Sequence, residues 1–311
     1  GAVGLLRLAL ASYPAAGFEA LGLSRFWFAA TFLFPLPVLA LFLVLRLYRA
    51  KRLAADWKSW GGLAAVLFGV PAAAILFHQP RALSHDQLTW MFEISQFVWV
   101  ALLVVHLVWS RGWHALVLFF GVTFAYGLIL ENTGIFMRFF YEPSFRLYLW
   151  HLPAPLCTML GWCVVFYVTV AIVQQLAEWV PWLKAKVWRR AVAATLAALL
   201  MDAQLDPLAS MSGVFWQWNE LLPPAFLGVP IINFAAWFGA FLPYTWLVFK
   251  ILDTEEWSPG RKNWELFIRL PLAALIGGLI CFGIMAIVEG GFDGPTFTIL
   301  REFSERLHPY G

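Results

Sequence analysis

Charged residues are scarce in this chain of 311 residues, because Asp, Glu, Lys and Arg together make up only 13% of it. Soluble domains average about 25% charged residues, so the composition excludes an ordinary water-soluble protein. The formal net charge of +3 is too small to predict binding to nucleic acid. The cysteines Cys157, Cys163 and Cys281 lack any paired spacing, and we expect them to be small buried hydrophobic residues.

Apolar residues make up 62% of the chain and aromatic residues 18%, and several apolar runs are long enough to cross a bilayer. This pattern predicts an all-α integral membrane protein, a polytopic bundle of about eight transmembrane helices that forms a single domain over residues 1–311. The predicted spans are 26–47, 60–79, 88–109, 112–131, 156–179, 188–207, 228–251 and 267–289. Residues 1–24 contain Arg7 and Glu19, which favour an interfacial helix over a ninth span.

The basic residues predict the orientation of the chain in the membrane. The loops that follow the odd-numbered spans carry about two thirds of the 21 Lys and Arg residues, so they are expected to be cytoplasmic. Both termini are then non-cytoplasmic, in agreement with an even number of spans. This topology places a set of polar residues at the non-cytoplasmic face, namely Glu93, Glu131, Asp202, Asp206, Asn233, His78, His85 and His151.

The segment 199–237 is the most informative part of the sequence. Asp202 and Asp206 end an apolar run and are four residues apart, so they share one face of a helix. Carboxylates at membrane depth are costly and usually face a bundle interior or a wet cavity, which indicates a functional site. Because Asp206 precedes Pro207, the alternative is that this residue only ends the helix.

The other polar residues at this face have weaker patterns. Glu131 is followed by a turn-forming sequence, which favours a site residue, whereas Glu93 belongs either to the site or to a hydrogen bond with Gln96. The three histidines lack a metal-ligand spacing, so we predict no metal site, with a site built from them and the acids as the alternative. His106 and His114 fall near the opposite face and are expected to be interfacial.

Buried acids among aromatic rings have a recognisable chemistry. Two neighbouring buried carboxyl groups cannot both ionise cheaply, so one is expected to hold a proton near neutral pH. A protonated carboxylic acid in an apolar pocket is a general acid, and Trp and Phe faces stabilise a cation. These parts suit the protonation of an alkene and the capture of the carbocation by water, without a cofactor. They also suit a proton relay or the anchoring of a lipid.

The order of the motifs gives a resemblance to a known family. The matching segments are Glu131-Asn132-Thr133-Gly134, Pro155 with Gly161-Trp162, 202–207 (DAQLDP), Trp216-Gln217-Trp218, and 228–234 (GVPIINF) with Trp237. Over residues 90–250 the chain resembles the membrane carotenoid biosynthesis protein family. That family includes the bacterial gamma-carotene 1',2'-hydratase and the haloarchaeal bisanhydrobacterioruberin hydratase.

The resemblance implies a lyase-type hydratase that adds water to the terminal 1',2' double bond of an acyclic carotenoid end group. It implies no cofactor, a prokaryotic inner membrane, and a carotenoid or other isoprenoid lipid together with membrane lipids as partners. Asp202 or Glu131 would protonate the alkene, Asp206 would orient or deprotonate the water, and Asn233 would position that water. The residues expected to bind the substrate are Trp216, Trp218, Phe234, Trp237 and Glu93.

Two departures from the family pattern motivate a different function. Residues 135–148 contain no glycine and two arginines, and Ala236 stands where the family has glycine before the tryptophan. The alternative is a non-catalytic carotenoid- or lipid-binding subunit with protein partners in a larger membrane complex, such as a photosynthetic one. A proton-coupled transporter is a third interpretation, which the absence of an internal repeat disfavours.

Overall fold

The computed structural model describes residues 85–212, 215–226 and 228–307, and these residues form a helical bundle. The helices are α1 (His85–Arg111), α2 (Trp113–Leu116), α3 (Thr123–Phe136), α4 (Leu156–Trp179), α5 (Pro181–Lys184), α6 (Val187–Ser212), α7 (Ile231–Leu252), α8 (Pro259–Val288) and α9 (Pro295–Leu307). A π-helical turn, Val117–Val122, joins α2 to α3. The strands β1 (Phe140–Tyr141) and β2 (Gln217–Trp218) pair antiparallel, as do β3 (Pro224–Phe226) and β4 (Val229–Pro230).

The prediction of an all-α membrane protein is confirmed. Among the described residues, five helical stretches are long and apolar enough to cross a membrane, judged by length and composition. They are Phe92–Arg111, Trp113–Phe136, Leu156–Trp179, Ile231–Leu252 and Pro259–Val288. Each of them overlaps one of the predicted spans.

The count of eight spans stays a prediction. The predicted spans 26–47 and 60–79 and the interfacial helix at 1–24 lie outside the described residues. The predicted span 188–207 corresponds to α6, which carries two arginines and two aspartates and is not among the five stretches. Its 26 residues rise about 39 Å, which exceeds the roughly 30 Å of bilayer hydrocarbon.

Two predicted helix ends were wrong. Helix α6 continues through Pro207 to Ser212, so Asp206 lies inside the helix rather than at its end. Proline is tolerated in helices of membrane bundles, because neighbouring groups can satisfy the freed backbone carbonyl. Helix α8 begins at Pro259, eight residues before the predicted span, because the Ser258 hydroxyl accepts the Arg261 N–H at 3.3 Å and caps it.

One end of the bundle carries exposed tryptophans beside arginines. The exposed indole rings there belong to Trp109, Trp113, Trp179, Trp182, Trp188 and Trp264. The Arg189 guanidinium lies 4.6 Å from the centroid of the Trp182 ring. Such a mixture is typical of a membrane–water interface, and we call it the Trp-rich end. His106, near this end, is buried, with Nε2 2.5 Å from the Tyr167 hydroxyl.

The core is built by α4 and by the packing of α7 against α6 and α8. Cys157, Cys163 and Cys281 are buried free thiols in this core, as predicted. Helices α7 and α8 touch through their backbones at Gly239 and Gly277. A Cβ added to Gly277 would lie 2.5 Å from the Gly239 carbonyl oxygen, closer than atoms can approach. Small residues allow such contact between membrane helices.

The replacement Gly277→Ala is therefore expected to lower the free energy of unfolding by about 1–3 kcal/mol, because the added methyl group forces α7 and α8 apart. The neighbouring Gly278 faces open space, so Gly278→Ala should leave stability unchanged or slightly raised. Thermal unfolding of both purified variants in detergent measures the difference. Equal midpoints for the two variants would contradict the close contact of α7 with α8.

Candidate functional site

Asp202, Asp206 and Asn233 form a buried cluster where α6 packs against the start of α7. The Asn233 amide nitrogen donates to both carboxylate oxygens of Asp202, each at 3.1 Å, and to Oδ2 of Asp206 at 2.7 Å. Asp202 is completely buried, and the other two side chains are also buried. One amide group therefore ties together two carboxyl groups from successive turns of α6. Two carboxyl groups in such proximity are expected to share a proton.

Glu131 reaches the same cluster from the last turns of α3. Its Oε2 accepts a hydrogen bond from the indole Nε1 of Trp162 at 2.7 Å, and its side chain is buried. The carboxyl group of Asp206 is close enough to interact electrostatically with that of Glu131. The structure therefore brings together the four residues predicted to be catalytic, from three helices. We call this end of the bundle the site end.

Sequence reasoning missed one further buried acid beside Glu131 and Asp206, namely Glu142, which lies in the loop between α3 and α4. Its carboxyl group is within hydrogen-bonding reach of Glu131 and interacts electrostatically with Asp206. Thr158, in the first turn of α4, donates to Oε2 of Glu142 at 3.3 Å. Glu142 is the one acidic residue between positions 132 and 177, and it follows a span that ends at the site end. That isolation was the available signal, but it fell in the segment that departs from the family pattern.

Polar contacts fix the loop that carries Glu142. Oε1 of Glu93 accepts the backbone N–H groups of Arg146 and Leu147, at 2.9 and 3.1 Å. Oδ1 of Asn132 accepts the N–H of Ala154 at 3.1 Å. Within the described residues Glu93 forms no hydrogen bond with Gln96, and its carboxylate holds the loop backbone instead. These contacts hold the loop over the site end.

Aromatic rings line the interior below the acids. Trp162, which contacts Glu131, lies 4.8 Å from Trp237 between ring centroids, and Trp237 stacks on Phe241 at 5.5 Å. The series continues through Phe166 to Tyr244, with centroid distances of 4.1 and 4.3 Å. Trp237, which is predicted to bind the substrate, is separated from Glu131 by the ring of Trp162. The aromatic series runs from the acids into the apolar interior.

The other aromatic residues predicted to bind substrate lie in the connection between α6 and α7 or at the start of α7. Trp216 is buried 6.3 Å from Phe92, and its indole nitrogen has no hydrogen-bond partner among the described residues. Trp218 in β2 packs edge-on against Phe140 in β1 at 5.8 Å. Phe234 packs against Phe226 at 5.9 Å. These three rings thus support the loops around the site end.

The predicted histidines do not join the acids in the described part of the chain. His151 is exposed and packs on Trp150, with ring centroids 4.9 Å apart. His78 lies outside the described residues, and the side chain of His85 is not described. Within residues 85–307 as described, no group of three or more His, Cys, Asp or Glu side chains is arranged to hold a metal ion.

Comparison with known proteins extends the resemblance along the chain. The family model described as carotenoid biosynthesis protein matches residues 88–300. This match begins in α1, covers every residue of the acid cluster and ends in α9, well beyond the predicted limit at residue 250. No curated protein and no solved structure matches the chain significantly.

Proposed function

The chain belongs to the carotenoid biosynthesis protein family, and from this membership we propose that it hydrates the terminal 1',2' double bond of an acyclic carotenoid end group in the membrane. The family membership gives a role in carotenoid biosynthesis. The observation that supports hydration is the convergence of Glu131, Asp202, Asp206 and Asn233 beside the rings of Trp162 and Trp237.

The first step of the proposed reaction is proton transfer from the carboxylic acid of Glu131. Its proton would form a C–H bond with the less substituted carbon of the alkene, leaving the positive charge on the tertiary carbon. Glu131 is preferred over Asp202 as the acid because it lies at the edge of the aromatic series, through its contact with Trp162. The electron-rich faces of Trp162 and Trp237 would stabilise the carbocation.

The second step is capture of the carbocation by water. Asp206 would accept a proton from the attacking water, so that the new C–O bond ends as a tertiary alcohol. The Asn233 amide nitrogen donates a hydrogen bond of 2.7 Å to the carboxyl group of Asp206. Both carboxyl oxygens of Asp202 accept from the same nitrogen and so keep the amide in place. Asp202 and Asn233 are therefore positioning residues for the base in this scheme.

The reaction is redox-neutral and consumes only water, so its chemistry requires no cofactor. The partners implied are an acyclic carotenoid and the surrounding membrane lipids. Since the acids lie at one end of the bundle and the aromatic series runs inward from them, the polyene would extend toward the bilayer interior. Its terminal double bond would then lie at the site end, near water.

Expression of this chain in cells that accumulate an acyclic carotene with a free terminal double bond tests the proposal. We expect the extracted pigments to gain one water per modified end group, as measured by mass spectrometry. Cells with an empty vector provide the baseline. Unmodified carotene in cells that contain the folded protein would contradict hydration. If that carotene also co-purified with the protein, the pigment-binding alternative would be supported instead.

A further inference from the structure

Glu142 is a buried carboxyl group that the two-step scheme does not use. Its side chain is 5% exposed, and its Oε1 accepts no hydrogen bond from a donor group among the described residues. Its other oxygen accepts only the Thr158 hydroxyl, at 3.3 Å. Burial of an ionised carboxylate with so few donors is very costly, whereas the neutral acid can donate its own proton to a neighbour. The surroundings therefore favour a carboxylic acid at this position.

The groups that face Glu142 are acidic or neutral. The carboxyl groups of Glu131 and Asp206 are close enough to interact electrostatically with that of Glu142. The Glu142 carboxyl group also interacts electrostatically with Tyr148 and Cys157. Burial, and then the charge of Glu131, raise the pKa of Glu142 well above its usual range. The arginines of the same loop do not offset this, since Arg138 is exposed and Arg146 pairs with Asp86. The Glu93 carboxyl group also lies near Tyr148 and Cys157, and its Oε1 accepts backbone N–H groups of the loop.

We propose that Glu142 is the proton store of the site, sharing a proton with Glu131 and resupplying it after each turnover. This inference rests on the proposed hydration. Each turnover moves one proton from Glu131 into a C–H bond and releases one proton from the added water to Asp206. The cycle closes only if a proton returns to Glu131. Glu142 interacts electrostatically with both Asp206 and Glu131. It is therefore placed to receive the proton from Asp206 and to pass it to Glu131.

The replacement Glu142→Gln removes the stored proton with little change of shape. We expect kcat for hydration to fall by about tenfold or more, with KM for the carotene unchanged and the pH profile of kcat altered. Tyr148→Phe is the matched control, because its hydroxyl donates only to the backbone carbonyl of Glu142, at 2.9 Å. A purely structural role of the loop predicts similar losses in both variants and an unchanged pH profile.

An infrared spectrum of the purified protein tests the stored proton without any substrate. At neutral pH we expect a C=O stretching band of a protonated carboxylic acid that disappears in Glu142→Gln. In Thr158→Val the band should shift, because a hydrogen bond to the carboxyl group is lost. An unchanged band in both variants, or wild-type hydration by Glu142→Gln at every pH, would overturn the proposal. If the wild-type protein hydrates nothing, the proposed function fails, and the infrared band still decides whether Glu142 holds the proton.

Discussion

Replacement of Glu131 by glutamine is expected to lower the rate of carotenoid hydration by roughly two to four orders of magnitude, the usual contribution of a positioned general acid. The amide keeps the shape of the side chain and can still accept the Trp162 N–H, now 2.7 Å from Oε2 of Glu131. It has no acidic proton to give to the alkene. The product per amount of folded protein, measured in membranes, gives the ratio of rates.

Glu178→Gln is the control for Glu131→Gln, because Glu178 is an exposed glutamate of α4 at the Trp-rich end. The same chemical change there should leave the rate unchanged. If Glu131→Gln retained the wild-type rate, Glu131 would not be the acid. The scheme would then have to begin from Asp202, the other acid that the sequence suggested.

Replacement of Asn233 by leucine is expected to abolish hydration and to destabilise the protein. The amide of Asn233 is the shared donor to Asp202 and Asp206, so leucine leaves two buried carboxyl groups facing each other without it. Loss of hydrogen bonds to charged groups costs about 1.5–3 kcal/mol each, and we expect the free energy of unfolding to fall by at least that amount. Thermal unfolding in detergent measures it.

A second substitution tests whether the stability lost in Asn233→Leu comes from its contact with Asp202. Asp202→Asn in the same chain restores an amide beside Asp206 and removes one of the two acids. We expect the double variant to regain part of the lost stability, as a double-mutant cycle between contacting residues should show. Additive losses from the two substitutions would contradict the contact between Asp202 and Asn233.

Much of the candidate site could be predicted from the sequence, because helix spacing and hydropathy depend only on residues close together in the chain. The i, i+4 spacing of Asp202 and Asp206 places both on one helix face, and the predicted spans place Glu131, near the end of one helix, and Asn233, near the start of another, at the same end of the bundle. Hydropathy could not reveal that one amide joins the two aspartates. That contact depends on the rotation of α7 against α6, which side-chain packing determines.

Other parts of the site lay beyond sequence patterns. The loop residue Glu142 reaches the acids because Glu93 and Asn132 hold the loop backbone, and such long-range contacts leave no periodic signal. For the same reason, no sequence pattern indicates that Glu93, which is predicted to bind the substrate, accepts the backbone N–H groups of Arg146 and Leu147. Asp206 was open to an interpretation as a helix end because Pro207 follows it, whereas α6 continues past that proline.

The most direct test of the account is a reaction with the purified protein in detergent, given an acyclic carotene in water labelled with heavy oxygen and no added cofactor. The account predicts a tertiary alcohol that carries one labelled oxygen per modified end group, and no such product from Glu131→Gln. Recovery of unmodified carotene from the wild-type protein, with the protein folded and the pigment bound, would contradict hydration.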